Sequence, residues 1–98
     1  MIKKERCDCD MLYKAILSLE SPEECEAFLA DICTVQEIEA MAQRLEVARR
    51  LAVGESYADI NVSTGASTAT IGRVSRALNY GTGGYELIIS KLTEGNDD

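Results

Sequence analysis

The chain has 98 residues, 46% of them hydrophobic, with 17 acidic against 10 basic side chains, a formal net charge of −7 and no histidine. That length suits one domain with one core, and it is short enough that a second subunit adds usefully to the buried area. Without an imidazole, histidine-based acyl transfer and histidine metal ligation are excluded. No run of 18 apolar residues or signal-peptide pattern is found, so a non-enzymatic, cytoplasmic protein with no membrane contact is expected.

After a polar lead of Lys3, Lys4, Glu5 and Arg6, the residues Met11, Leu12, Ala15, Ile16 and Leu19 recur at helical spacing and predict a first amphipathic helix. Ser21, Pro22, Glu23 and Glu24 form a strong start signal: a capping hydroxyl, a proline at the first helical position and a glutamate three residues after the cap. The second helix is expected to bury Cys25, Phe28, Leu29 and Ile32. Thr34 to Glu37 repeats the capping box, and Ile38, Met41, Ala42, Leu45, Ala48, Leu51 and Ala52 carry one apolar stripe through the longest helix until Gly54 stops it.

Ser56 and Asp59 open a short fourth helix that carries Ile60. Five residues later Gly65 falls where the chain must turn with a positive φ, and Ser67 can cap a fifth helix. There Ile71, Val74 and Leu78 recur at helical spacing and pack back on the fourth helix. This is the pattern of a helix-turn-helix. Ala69, Gly72, Arg73, Arg76 and Tyr80 project away from the buried stripe, flanked by Thr68 and Thr70, and offer a face of small groups and cations. Such a face suits a DNA groove: threonine and alanine methyls can meet the thymine methyl, hydroxyls can bond base edges, and arginines can meet phosphate or guanine. The glycine-rich run from Tyr80 to Gly84 is expected to hinge this helix to a last short one carrying Tyr85, Leu87, Ile88, Ile89 and Leu92. A polar tail follows.

The expectation is an all-α, six-helix fold in one domain spanning residues 1–98. Residues 1–54 supply dimerisation helices, 55–80 the helix-turn-helix, 84–93 the C-terminal helix and 94–98 a disordered tail. The first three helices carry more apolar surface than a thin layer of short helices can cover, so an intertwined homodimer is expected. Two copies related by a two-fold axis would place two reading helices toward successive major grooves of a palindromic site.

The acidic balance argues against DNA only as a sum, because binding depends on where the charges lie. From Ile60 to Tyr85 there is no Asp or Glu, while Arg73 and Arg76 lie inside that window. Double-stranded DNA is therefore the expected partner, with Asn61, Ser67, Thr68, Ala69, Thr70, Gly72, Arg73 and Arg76 as candidate contacts. Asn61 stands where many such units place a small packing residue, so it either alters the helix crossing or exposes a polar contact. Arg49 and Arg50 close the long helix, where cations favourably meet its dipole, and that role explains them nearly as well as phosphate contact does.

The order TVQEIEAMAQRLEVARRLAVGES, then TGASTATIGRVSRALNYG and a short closing helix, resembles the Trp-repressor superfamily and within it the YerC/YecD-type branch of DNA-binding regulators. The resemblance covers residues 34–92. It implies an intertwined all-helical homodimer whose fourth and fifth helices read DNA, in a sequence-specific transcription regulator expected to repress. It also implies an effector pocket in which Arg44 and Arg73 match the two arginines that hold tryptophan in the repressor. Two positions depart from that pattern: Val74 stands in place of a glycine and Ala77 in place of a serine. A branched side chain takes space that a planar ligand needs, and a lost hydroxyl removes a polar partner for the amino group. Regulation without tryptophan as corepressor is expected, with Arg44, Arg73, Val74 and Ala77 as the candidate pocket for an effector of unknown identity. If Val74 closes the pocket, the reading helix is held in its DNA-competent position without any small molecule.

Cys7, Cys9, Cys25 and Cys33 are weak as a zinc framework because the usual paired C-x-x-C knuckles are missing. Cys25 and Cys33 read as reduced buried thiols, and no metal or other cofactor is expected. The competing reading is a protein-interaction module on the same fold that has lost DNA binding, for which the acidity and the tyrosines Tyr80 and Tyr85 argue.

Overall fold

The computed structural model describes residues 8–95. The lead of Lys3, Lys4, Glu5 and Arg6, together with Cys7 and residues 96–98 of the expected tail, lies outside the described residues. Six helices follow one another: α1 (Cys9–Leu17), α2 (Pro22–Ile32), α3 (Val35–Ala52), α4 (Tyr57–Thr64), α5 (Thr68–Tyr80) and α6 (Gly84–Gly95). No strand occurs among the described residues, and the fold is all-α as expected. None of these helices is long and apolar enough to cross a membrane. The backbone gathers into two compact units, Met1–Ile38 and Glu39–Asp98, which divide within α3.

In the first unit, local capping chemistry sets the helix ends. Ser18 Oγ donates to the Ala15 carbonyl at 2.7 Å and α1 stops at Leu17, so Leu19, expected on the first stripe, lies past the helix end. Ser21 Oγ accepts from Glu24 N at 3.1 Å with Pro22 at the first helical position, and the Glu24 carboxylate accepts from Glu20 N at 2.8 Å. Thr34 and Glu37 close a reciprocal capping box at the start of α3, at 3.1 and 2.8 Å. The expected burial of α2 is not reached within this chain. Cys25, Phe28 and Leu29 are half-buried and Ile32 is 53% exposed. Two short helices offer too thin a layer to close over that stripe.

The second unit has an apolar core of Val47 and Ala48 from α3, Ile60 from α4, Ala66 from the following turn, and Ile71 and Val74 from α5. Leu51, Tyr85 and Ile89 pack at its edge. The largest buried side chains, Ile60, Ile71, Val47 and Val74, each contribute about 1.5–3 kcal/mol through burial. Helix α4 packs on α5, and α5 on α6. The α3 stripe departs from expectation here. Val47, outside that stripe, is fully buried, whereas Met41 and Leu45 stay exposed, because the core forms on the flank of α3 that carries Val47, Ala48 and Leu51. Helix α6 continues to Gly95, two residues beyond its expected end at 93.

Candidate nucleic-acid interface

Ser56 Oγ caps α4 by accepting from Asp59 N at 3.1 Å, and Ile60 anchors that helix in the core. Gly65 ends it with φ 77°, a left-handed conformation in which its N–H donates to the Asn61 carbonyl at 2.9 Å. Ala66 turns into the core, and Ser67 caps α5 by accepting from Thr70 N at 3.1 Å. The bend foreseen at Gly65 and the cap foreseen at Ser67 both lie where the sequence pattern puts them.

Ile71 and Val74 fix the inner stripe of α5 against Ile60 and Ala66, leaving the opposite stripe outward. Ser67, Thr68, Ala69, Arg73 and Arg76 are exposed, while Thr70 and Gly72 are half-buried. Ser67 and Thr70 also share a hydroxyl–hydroxyl bond of 3.1 Å, so the more accessible hydroxyl at the tip is that of Thr68. Arg76 reaches back along the helix until Nη1 lies 3.9 Å from where a Cβ on Gly72 would stand. The guanidinium thus lies along the outer face over Gly72.

Electrostatics separate Arg49 and Arg50 from Arg73 and Arg76. Arg49 and Arg50 are held by carboxylates: Arg49 Nη2 to Glu46 at 2.6 Å, Arg50 Nε to Glu46 at 2.8 Å, and Arg50 Nη1 to Glu55 at 3.1 Å. The hydrogen bond from Arg49, assisted by Arg50, holds the Glu46 carboxyl below the usual carboxylate range against an opposing effect of partial burial. The same bonds raise Arg49, chiefly through Glu46, and Arg50, chiefly through Glu55. Arg73 and Arg76 have no ion-pair partner among the described residues, and the window from Ile60 to Tyr85 around them holds no acid. Their charge is available to an external anion, and that of Arg49 and Arg50 is already compensated.

Asn61 is exposed, and its side-chain amide is engaged within the turn. Its Nδ2 donates to the Ala66 carbonyl at 2.8 Å, across the turn and not outward. Gln43 and Thr64, which sequence reasoning overlooks, join it: Gln43 Nε2 donates to the Thr64 carbonyl at 3.2 Å, and Thr64 Oγ1 donates to the Ile60 carbonyl at 2.7 Å while accepting from Ala66 N at 3.1 Å. An Asn three residues before a Thr-Gly pair carries a signal for this bracing, whereas a Gln on an amphipathic helix carries none.

The four candidate effector residues have unlike surroundings. Val74 is 1% exposed and belongs to the core, Arg44 is half-buried on α3, and Arg73 is exposed on α5. Ala77 lines an open cavity of about 500 Å³ together with Leu45, Gly81, Thr82, Gly84, Tyr85 and Ile88, and none of the other three lines it. Cys9, Cys25 and Cys33 are free thiols, and no group of three or more potential metal-ligating side chains forms among the described residues.

The sequence profile of the Trp repressor protein family matches residues 8–93. The chain is 52% identical over 87 residues to the Bacillus subtilis (strain 168) protein YerC, covering 89% of this chain and 84% of that one. A crystal structure of a candidate Trp repressor from Staphylococcus aureus is similar at TM-score 0.84 and 46% identity, over 94% of this chain and 93% of the other. That of a TrpR-like protein from Eubacterium eligens ATCC 27750 is similar at TM-score 0.85 and 44% identity, over 94% and 95%.

Proposed function

Because the chain belongs to the Trp repressor family of DNA-binding regulators, we propose that it is a sequence-specific transcription repressor that docks the N-terminal face of α5 in the major groove. The observation that carries this reading is the outer face of α5: small exposed groups at Ser67, Thr68 and Ala69, two arginines behind them with no ion-pair partner among the described residues, and no carboxylate from Ile60 to Tyr85. Arg73 and Arg76 supply phosphate attraction, and Thr68 with its neighbours supplies discrimination between base edges.

The functional unit is a homodimer, with the chain acting as one domain and residues 1–54 providing the contacts between copies. The exposure of Met11, Leu17, Ile32 and Val35 supports this, since so much accessible apolar surface on short helices invites a second layer. A two-fold pair of reading helices matches a palindromic operator with half-sites about 34 Å apart. Tryptophan is not the corepressor. Val74 fills core volume beside Ile71 and Val47, and Ala77 offers no hydroxyl, so the α5 position is maintained by packing in place of a bound amino acid.

Selection of bound duplexes from a random pool tests this function. Enrichment of two-fold symmetric sequences, bound with an affinity that falls steeply as salt rises, is the expected outcome. Failure to enrich any sequence, with salt-insensitive capture of a protein ligand, would instead favour the interaction module, for which the exposed Tyr80 is the best anchor.

A further inference from the structure

The turn between α4 and α5 has few residues, yet it must hold the direction of α5 within narrow limits if a few side chains are to meet base edges. Gly65 permits the bend but does not fix it, since glycine tolerates a wide range of conformations. Ala66 contributes a single methyl to the core. What restrains the remaining freedom is a pair of side-chain amides from two different helices. Gln43 on α3 captures the Thr64 carbonyl as the chain enters the turn, at 3.2 Å, and Asn61 on α4 captures the Ala66 carbonyl as it leaves, at 2.8 Å. Between them Thr64 Oγ1 ties Ala66 N to the Ile60 carbonyl. The Asn61 amide donor therefore serves the turn.

We propose that Gln43 and Asn61 are positioning residues that set the angle of α5 against α4 and α3, and that they govern operator specificity without touching DNA; this rests on α5 being the reading helix. Gln43 illustrates the separation most clearly. It stands on α3, 21 residues before its partner in the chain, and it lies outside the face formed by Ser67, Thr68, Arg73 and Arg76. An error in helix direction reduces the fit of α5 to base edges while leaving flexible arginines able to find phosphates, so specific and non-specific binding separate.

The experiment compares wild type with Gln43→Met and Asn61→Ala. Gln43→Met keeps the side chain's length and removes its donor, and Asn61→Ala deletes the second amide. Two quantities are measured for each folded protein. The first is the direction of α5 relative to α4 in the DNA-free chain, from residual dipolar couplings of backbone amides. The second is the ratio of affinities for the selected duplex and a scrambled one. The expected result is a shifted or averaged α5 direction in both variants and a specificity ratio lowered about fivefold per half-site in each, the effect of one net hydrogen bond per subunit. Non-specific affinity and its salt dependence stay at the wild-type level. The double variant should lose less than the product of the single losses, because both amides restrain one turn.

An unchanged α5 direction in both variants overturns the proposal. So does a loss of discrimination at a single base pair in Asn61→Ala with Gln43→Met behaving as wild type, which would make Asn61 a direct contact. Lower thermal midpoints with an unaltered specificity ratio would also overturn it, by reducing the amides to a stabilising role. If α5 moves as expected but wild type enriches no duplex, the brace stands and the DNA-reading function fails.

Discussion

Replacing Arg76 with glutamine removes one uncompensated cation from each copy of α5 while keeping a long polar side chain over Gly72. Each phosphate neutralised on duplex DNA contributes about 0.9 to the slope of log affinity against log salt, so a dimer that loses one contact per subunit should lose about 1.8. Across a fourfold rise in salt the wild-type affinity should then fall about twelvefold further than that of the variant. Arg49→Gln is the internal control, since Glu46 already holds that guanidinium at 2.6 Å. Its slope should match wild type. Fluorescence anisotropy on one labelled duplex at four or more salt concentrations measures both. Equal slopes for Arg76→Gln and wild type, or equal flattening in Arg49→Gln and Arg76→Gln, would refute the division of the arginines into available and compensated pairs.

Gly65→Val places a β-branched residue at φ 77° and should cost at least about 1–2 kcal/mol in urea unfolding, with weaker DNA binding at temperatures where the variant is still folded. Gly81→Ala drives a Cβ into the backbone carbonyl of Ala77 and should force the α5–α6 connection to shift, lowering stability by about 1–3 kcal/mol in the same assay. Calorimetry of wild type with tryptophan should give no saturable heat, because Val74 is packed in the core; a saturable signal that disappears in Arg44→Ala would contradict this. Glu46 has a folded-state affinity for protons below its unfolded one, so its contribution to stability is present at neutral pH and is lost as pH falls from the unfolded carboxylate value through its lower folded-state value. Urea midpoints of wild type should therefore exceed those of Glu46→Gln near about pH 6, and the difference should shrink as pH falls below the ordinary carboxylate value of about 4.3.

Local chemistry was the legible part of the sequence. Ser21, Thr34, Ser56 and Ser67 act as caps through bonds that span only three residues, and Gly65 announces the bend by being the residue type that a positive φ favours. Ile60, Ile71 and Val74 were readable as core because α4 and α5 are neighbours in the chain. Which flank of α3 meets that core is not readable, since Leu45 lies on the apolar stripe and Val47 beside it, and only tertiary packing chooses between them. The end of α1 is not legible at Leu19, because the apolar stripe continues in the sequence even where Ser18 ends the helix. At the candidate site, the outward placement of Thr68, Ala69, Arg73 and Arg76 followed from periodicity. The compensation of Arg49 and Arg50 by Glu46 and Glu55 and the turn brace from Gln43 depend on rotamers and on helix approach. Spacing alone leaves both open.

The central claim is that the N-terminal face of α5 meets the double helix, and amide and guanidinium chemical shifts recorded during titration with the selected duplex test it most directly. The account predicts that the largest changes fall on Ser67, Thr68, Ala69 and Thr70 and on the Arg73 and Arg76 side chains, with Arg49 and Arg50 nearly still. Changes concentrated away from α5, with those side chains unmoved at saturating DNA, would contradict it.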